Sequence, residues 1–520
     1  MSAAWLQAFA MVFDPYNIVV MLGASLFGLF VGAVPGLTAT MATALLVPVT
    51  FFMPPIPAIA AMVTATAMAI FSGDIPGCLL RMPGTPASAA YTDEAYAMTR
   101  KGLAEIALGA GLVFSAVGGL FGTAVLMVAA PTLAEFALHF SSFEYFWLVL
   151  MGLTCAVFIS SDSPLKGLVT LFLGLLLACV GLSNPAAFAR FTFGNTELLG
   201  GIGLIPTMIG MFAVSEIIRF VVDTQPKALV VEAQIGNVFK GMWALTLKYP
   251  LQILRGSVLG TIVGALPGAG ADIAAWMSYA MSKRLSKEPE KFGTGHVEGI
   301  VESGSANNSA LAGAWIPALV FGIPGDSITA IVIGVLYMKN MNPGATLFTT
   351  NPQNIYAVYL LFIIANIIML PLGWMCIKVA KRILKVPREV LMPVILLFCL
   401  VGAFAINNTA FDIGIMLVAG VVAYLLECNG FPIAPLILGV VLGGMLEENL
   451  VSSLIKSDGN LLAFFGRPIA ATLGAITFAI WLWPLIRRVV PGFVHRSWRR
   501  KDTSRPAPEL LSGRQDTHLP

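Results

Sequence analysis

Apolar residues run through this chain in long blocks. Stretches such as 104–130, 143–159, 198–218, 353–377 and 468–486 carry almost no charge. Each approaches the about 20 residues that a helix needs to cross the hydrocarbon of a bilayer. So many blocks predict an all-α polytopic membrane protein, a bundle of transmembrane helices. Its interruptions are unusual: "RMPGTPASAAY", Arg81 to Tyr91, places two prolines, a glycine, a threonine and a serine inside one of the most hydrophobic regions.

Composition sharpens this picture. Of 520 residues, 58% are apolar and 11% are charged, and the mean hydropathy is +0.86. Ordinary soluble proteins are about a quarter charged, so that class is excluded. The 51 glycines and 32 prolines suit broken helices around a cavity. Cys78, Cys155, Cys179, Cys376, Cys399 and Cys428 stand singly in apolar segments, without CxxC or His at metal-ligand spacing, and read as small buried hydrophobes. The first fourteen residues hold no Lys or Arg, so a cleaved secretory signal is not expected.

The chain also repeats itself. "GLFVGAVPG" (Gly28–Gly36) returns as "GTIVGALPG" (Gly260–Gly268), an offset of 232, and "IPGCLLRMPGT" (Ile75–Thr85) aligns with "IPALVFGIPGD" (Ile316–Asp326), an offset of 241. The difference points to an insertion in the second copy, for which "SKRLSKEPEKFGTG" (Ser282–Gly295) is the candidate. Cytoplasmic loops collect Lys and Arg. "KVAKRILKVPR", after the 353–377 span, holds five, whereas "PTLAEFALHFSSFE", after 104–130, holds none. The basic insert likewise corresponds to the uncharged "FFMPPIP". The halves therefore read as inverted. Placing Arg100, Lys101, Lys166, the 219–248 connector and the tail inside gives about 11 transmembrane helices plus re-entrant or broken helices, an external N-terminus and a cytoplasmic C-terminus. The divisions are a first repeat at 1–222, a connector at 223–249, a second repeat at 250–450, an additional helix in 451–495 and a disordered basic tail at 496–520.

Inverted repeats are a mark of secondary transporters, whose sites lie where broken helices of the two halves meet. Pro83, Gly84, Thr85 and Ser88 in one copy match Pro324, Gly325, Ser327 and Thr329 in the other. Proline and glycine should break the helix at both places. Amide groups freed by such a break are tolerable at membrane depth only inside protein or beside a wet cavity, and they attract anions. Two such helix starts with hydroxyls beside them would form a carboxylate cradle. Gly32, Pro35 and Gly36, and Gly264, Pro267 and Gly268, read as tips of re-entrant hairpins, with Thr38 and Thr40 after one and Gly270 and Asp272 after the other. Close helix packing through small residues is the alternative.

A third cluster, "HVEGIVESGSANNSA" (His296–Ala310), offers Glu298, Glu302, Asn307 and Asn308. Their oxygens suit Na⁺ or protons; the two glutamates also fit an interfacial role, and the asparagines lie deeper. Asp74 and Arg81, seven apart on one helix face, read as an ion pair. Asp326 fits a helix cap or a holder of a coupling cation.

At "GAVPGLTATMATALLVPVTF", "MPGTPASAAYTDEAYAMTRKG", "GALPGAGADIA" and "GIPGDSITAIVIGVLYMKNMNPG" the sequence resembles the large membrane subunit of the tripartite tricarboxylate transporters, from about Gly23 to Leu450. The resemblance implies cation-driven uptake, usually with Na⁺, of a citrate-like or other carboxylate across the bacterial inner membrane. It also implies a small membrane subunit and a periplasmic solute-binding protein as partners. The Pro83–Ser88 and Pro324–Thr329 loops would then be near the substrate, and Asn307 and Asn308 match the family's paired asparagines. Asp74 and Arg81 depart from the family's Ser and Asn. Arg81 could instead clamp a carboxylate directly, since guanidinium matches its geometry.

A stand-alone carboxylate symporter needs the same physics and stays open. A membrane-embedded enzyme lacks support: there is no HExxH or GxSxG, and His139, His296, His495 and His518 are isolated. No cofactor is expected beyond Na⁺ or H⁺, and no nucleic acid. Seven basic residues between Arg487 and Arg505 fit positive-inside anchoring or contact with anionic membrane lipid.

Overall fold

The computed structural model describes residues 2–159, 163–182, 188–222, 236–384 and 388–489. Among these residues the regular elements are helices, and the one β-bridge, Gly181 with Arg190, is isolated. Residues 223–235 of the connector and the 496–520 tail lie outside the described residues.

Eight helices among the described residues are long and apolar enough to cross a membrane: Pro15–Ala33, Pro55–Leu80, Ala104–Ala137, Leu204–Val222, Pro352–Ala380, Glu389–Asn407, Ala410–Cys428 and Ala434–Lys456. The blocks at 143–159 and 468–486 form the shorter helices Ser142–Phe158 and Pro468–Leu482. The 198–218 block begins later than its hydropathy suggests. Gly201, at φ 82°, ends a 3₁₀ turn, Thr196–Gly200, and the helix starts only at Leu204. Cys78, Cys376 and Cys399 are buried as expected, whereas Cys428, at the end of its helix, is exposed.

The repeated motifs fold alike, and glycine shows it. A β-carbon on Gly28 would stand 2.2 Å from the Ala65 carbonyl oxygen, and one on Gly260 would stand 2.3 Å from that of Ala306. Gly32 and Gly264 face the carbonyls of Ala69 and Ala310 in the same way, at 2.3 and 2.2 Å. In each copy, then, the helix that ends at the hairpin tip runs parallel to, and in backbone contact with, the helix that leads to the Pro-Gly loop. The matched long helices, by contrast, pass each other antiparallel. Leu112 of Ala104–Ala137 lies against Gly373 of Pro352–Ile383, and Gly119 lies against Asn366.

The centre of the bundle is a polar helix, Val297–Phe321, buried at every residue from Glu298 to Val320. It can be polar because its neighbours approach closely and several of its polar groups find partners. Gly118 and Gly122 press on the carbonyls of Ser305 and Ser309, and Gly256 presses on that of Glu302. The Ser305 hydroxyl donates to the Val301 carbonyl at 2.8 Å. Glu302 pairs with Arg255, while Glu298 accepts from Gln252 at 2.9 Å and from Ser286 at 2.6 Å and meets His296 at 3.1 Å. These two glutamates are therefore fully engaged in holding the end of this helix.

Glu94, fully buried in the Thr92–Arg100 helix, reaches across to the basic insert of the second copy. It accepts from Tyr279 Oη at 2.8 Å, from the backbone N–H of Gly295 at 2.7 Å and of His296 at 2.8 Å, and from the N–H of Gly293. Truncating it would leave three half-buried donors, of Tyr279, Gly295 and His296, unpaired, at about 1 kcal/mol each. Glu94→Ala should therefore lower stability by about 3 kcal/mol or more, and Glu94→Gln by less, because the amide oxygen keeps part of the set. Thermal unfolding of the purified protein in detergent checks the ranking; equal midpoints for wild type and Glu94→Ala would show that the contact is not structural.

Candidate functional site

The first Pro-Gly loop folds back on the helix it leaves. Arg81 takes a left-handed conformation, φ 58°, which reverses the chain after Leu80. Gly84 then donates its N–H to the Gly73 carbonyl at 3.0 Å and lies so near the first hairpin tip that a β-carbon would be 2.5 Å from the Gly32 oxygen. The second loop makes the same approach: a β-carbon on Gly325 would be 2.5 Å from the Gly264 oxygen, and the Gly325 carbonyl accepts from Gly268 N–H at 2.8 Å.

Each loop ends in a reciprocal cap. Ser88 N–H donates to Thr85 Oγ1, and Thr85 N–H donates to Ser88 Oγ, both at 3.2 Å. At the matched positions Thr329 N–H donates to Asp326 Oδ1 at 2.8 Å, and Asp326 N–H donates to Thr329 Oγ1 at 2.9 Å. Thr38 caps the returning helix Ala39–Phe51, accepting Met41 N–H at 3.1 Å.

All four interruptions open on one cavity of about 430 Å³. Its wall contains Thr38–Thr40 and Gly270–Asp272, which are 232 apart, and Thr85–Ala87 and Asp326–Ile328, which are 241 apart. These are the offsets of the repeated motifs, so matched triplets face a common space. Other wall residues come from the Leu204–Val222 helix: Met211 and Phe212 in a π turn spanning Gly210–Val214, and Ser215, Glu216 and Arg219 in the α-helical turns that follow. A larger space of about 730 Å³, beside Trp374 and Lys378, includes none of the motif residues.

The electrostatics differ from a bare anion cradle. Asp272 Oδ1 accepts Ala87 N–H at 3.0 Å, and Asp326 fills its own helix start. Both starts that the sequence offers to a carboxylate thus already hold an oxygen of the protein. Among the described wall residues Arg219 is the only cation, and it is shared by Glu216 at 3.2 Å and Glu427. Two carboxylates, the exposed Asp272 and the half-buried Asp326, stand where the first copy has Thr40 and Thr85.

Several of the sequence-selected residues stand elsewhere. Ser88 and Thr329 are buried cap partners behind the wall. Arg81 is not paired with Asp74: the reversal at its own backbone turns it outward, to Asp93 at 2.8 Å, with both side chains more than half exposed. It clamps nothing in the cavity. Asn307 and Asn308 are buried away from the wall, their amides donating to Tyr91 Oη at 3.4 Å and Met369 Sδ at 3.6 Å. Glu216, Arg219 and Glu427 are the charged wall residues that sequence reading passes over. Their signal was charge at i, i+3 inside an apolar helix, which the charge count had assigned to the connector.

The sequence profile of the Tripartite tricarboxylate transporter TctA family matches residues 18–438. An "Uncharacterized 52.8 kDa protein in TAR-I ttuC' 3'region" of Agrobacterium vitis is 35% identical over 482 residues, covering 92% of this chain and 96% of that protein. A second protein of that organism, "Uncharacterized protein in TAR-II ttuC' 3'region", is 36% identical over 235 residues, 45% of this chain and 96% of its own length. No solved structure matches. A profile match over most of the chain, falling on the repeated motifs that line the cavity, is decisive: the chain belongs to the Tripartite tricarboxylate transporter TctA family.

Proposed function

We propose that this chain is the large membrane subunit of a Na⁺-coupled importer that receives a carboxylate from a periplasmic binding protein. It works with a small membrane subunit in the bacterial inner membrane, its N-terminus periplasmic and its C-terminus cytoplasmic. The observation that carries the reading is the single cavity walled by matched triplets of the two halves. The antiparallel passage of Ala104–Ala137 and Pro352–Ile383 supports halves of opposite orientation, the arrangement that alternating access uses.

In this reading the carboxylate meets the hydroxyls of Thr38, Thr40, Thr85 and Ser327 and competes with Asp272 for the Ala87 amide. The hairpin tips and Pro-Gly loops hold these groups in place. Asp272 and Asp326 supply the coupling. Two like charges about 5 Å apart repel by about 3 kcal/mol at an effective dielectric of about 20. A substrate anion is therefore disfavoured until cations neutralise these aspartates. Affinity for the anion then depends on bound Na⁺, and by linkage affinity for Na⁺ depends on the anion.

Uptake by the subunit reconstituted with its small membrane partner tests this, with and without Na⁺ and the binding protein, across mono-, di- and tricarboxylates. Na⁺-independent uptake at the full rate would remove the coupling. Thr85→Val and Ser327→Ala should each lower apparent affinity by about tenfold, equivalent to about 1.4 kcal/mol, with normal membrane insertion. Unchanged uptake in both would take the hydroxyls out of the site. Asp272→Asn should abolish the dependence on Na⁺, whereas Asp326→Thr, which restores the first copy's capping residue, should keep the fold and weaken Na⁺ dependence. Kinetics measured over a Na⁺ series separate these outcomes.

A further inference from the structure

Asp74 follows Gly73 within the Pro55–Leu80 span and is 6% exposed. Tyr91 Oη donates to its Oδ1 at 2.7 Å. Its other oxygen, Oδ2, is buried without a hydrogen-bond partner and rests against Gly111 of Ala104–Ala137, where an added β-carbon would be 2.8 Å away. Tyr91 in turn accepts from Asn307 Nδ2 at 3.4 Å, and Asn307 Oδ1 is also buried and unpartnered. Three polar side chains thus cross from the first half to the polar helix of the second.

No cation balances this carboxyl. Arg81 is bonded to Asp93, and no ion pair among the described residues includes Asp74. The titratable groups beside it are Tyr91 and Cys78, whose thiol meets Thr99 Oγ1 at 3.0 Å. The helix Ala104–Ala137 presents Gly111, and the polar helix reaches it through Asn307; neither brings a charge. A buried carboxyl without a counter-ion takes up a proton instead.

The position also couples to the cavity. Ile70, one helical turn earlier, lines the wall, and a β-carbon on Gly73 would be 2.9 Å from Thr85 Oγ1. Gly73 thus joins Asp74 directly to the loop that ends at Thr85.

We propose that Asp74 is a proton-binding site at the seam between the halves, and that its proton crosses with the carboxylate. The proposal rests on the importer reading above and adds a second coupling ion. Hydronium on the outer side protonates Oδ2, forming one O–H bond and releasing water. After the seam rearranges, water on the inner side takes the proton and the carboxylate returns. One proton is bound and one released, with no redox step.

The test uses the wild-type subunit with its small membrane partner and binding protein, in liposomes holding a pH dye, at saturating Na⁺ and clamped potential. Carboxylate uptake should acidify the lumen, and Asp74→Asn should cut the acidification at least about tenfold. In parallel, infrared spectra of the purified protein should show a protonated-carboxyl band that Asp74→Asn removes and Tyr91→Phe keeps. Asp74→Ser replaces Asp74→Asn if the amide fails to insert. Acidification in Asp74→Asn equal to wild type, or a band unchanged by the substitution, overturns the proposal. Wild-type uptake without acidification also overturns it but leaves the importer intact. Absence of any wild-type uptake removes the importer reading, and the infrared band then decides proton binding alone.

Discussion

A helix broken at membrane depth exposes backbone amides and carbonyls that lipid cannot satisfy, and the architecture of this protein follows from how those groups are closed off. At each break the loop is driven against a hairpin tip until backbone touches backbone. Gly84 on Gly32 and Gly325 on Gly264 leave no space for a methyl group. Reciprocal caps then satisfy the first amides of the continuing helices. Glycine and proline are therefore the means by which polar backbone can be held beside a cavity without meeting lipid.

Placing four such interruptions around one space has an electrostatic consequence. Helix starts alone would favour an anion, yet here they carry the protein's own oxygens. The second half contributes two carboxylates where the first contributes threonines. The fold is close to symmetric and its charge is not. An anion entering such a space would meet two carboxylates and a cation already shared by two glutamates. Parallel, glycine-packed helices flank the tips and hold their geometry.

The polar helix Val297–Phe321 shows how burial changes the meaning of a residue. Glu298 and Glu302, available as ligands on paper, are held by Gln252, Ser286, His296 and Arg255. Asn307 and Asn308 keep buried carbonyl oxygens without protein partners, and Asn307 joins the seam through Tyr91. Apart from His296, two residues from Glu298, these partners lie in other segments, as Arg255 and Glu302 lie on different helices, so helix periodicity does not pair them.

The sequence alone determined the helical membrane class and located the four interruptions by their matched motifs. These depend on hydropathy, on proline and glycine, and on repeats that can be read without contacts. It also selected Thr38, Thr40, Thr85, Asp272, Asp326 and Ser327, because a motif that breaks a helix also fixes which residue follows the break. Only the tertiary structure decided that Arg81 turns out to Asp93 and leaves Asp74 without an ion pair, and that Arg219 joins the wall between two glutamates. Those outcomes depend on one backbone reversal at φ 58° and on contacts between residues up to 208 positions apart. No local pattern encodes such distances; packing of the whole bundle does.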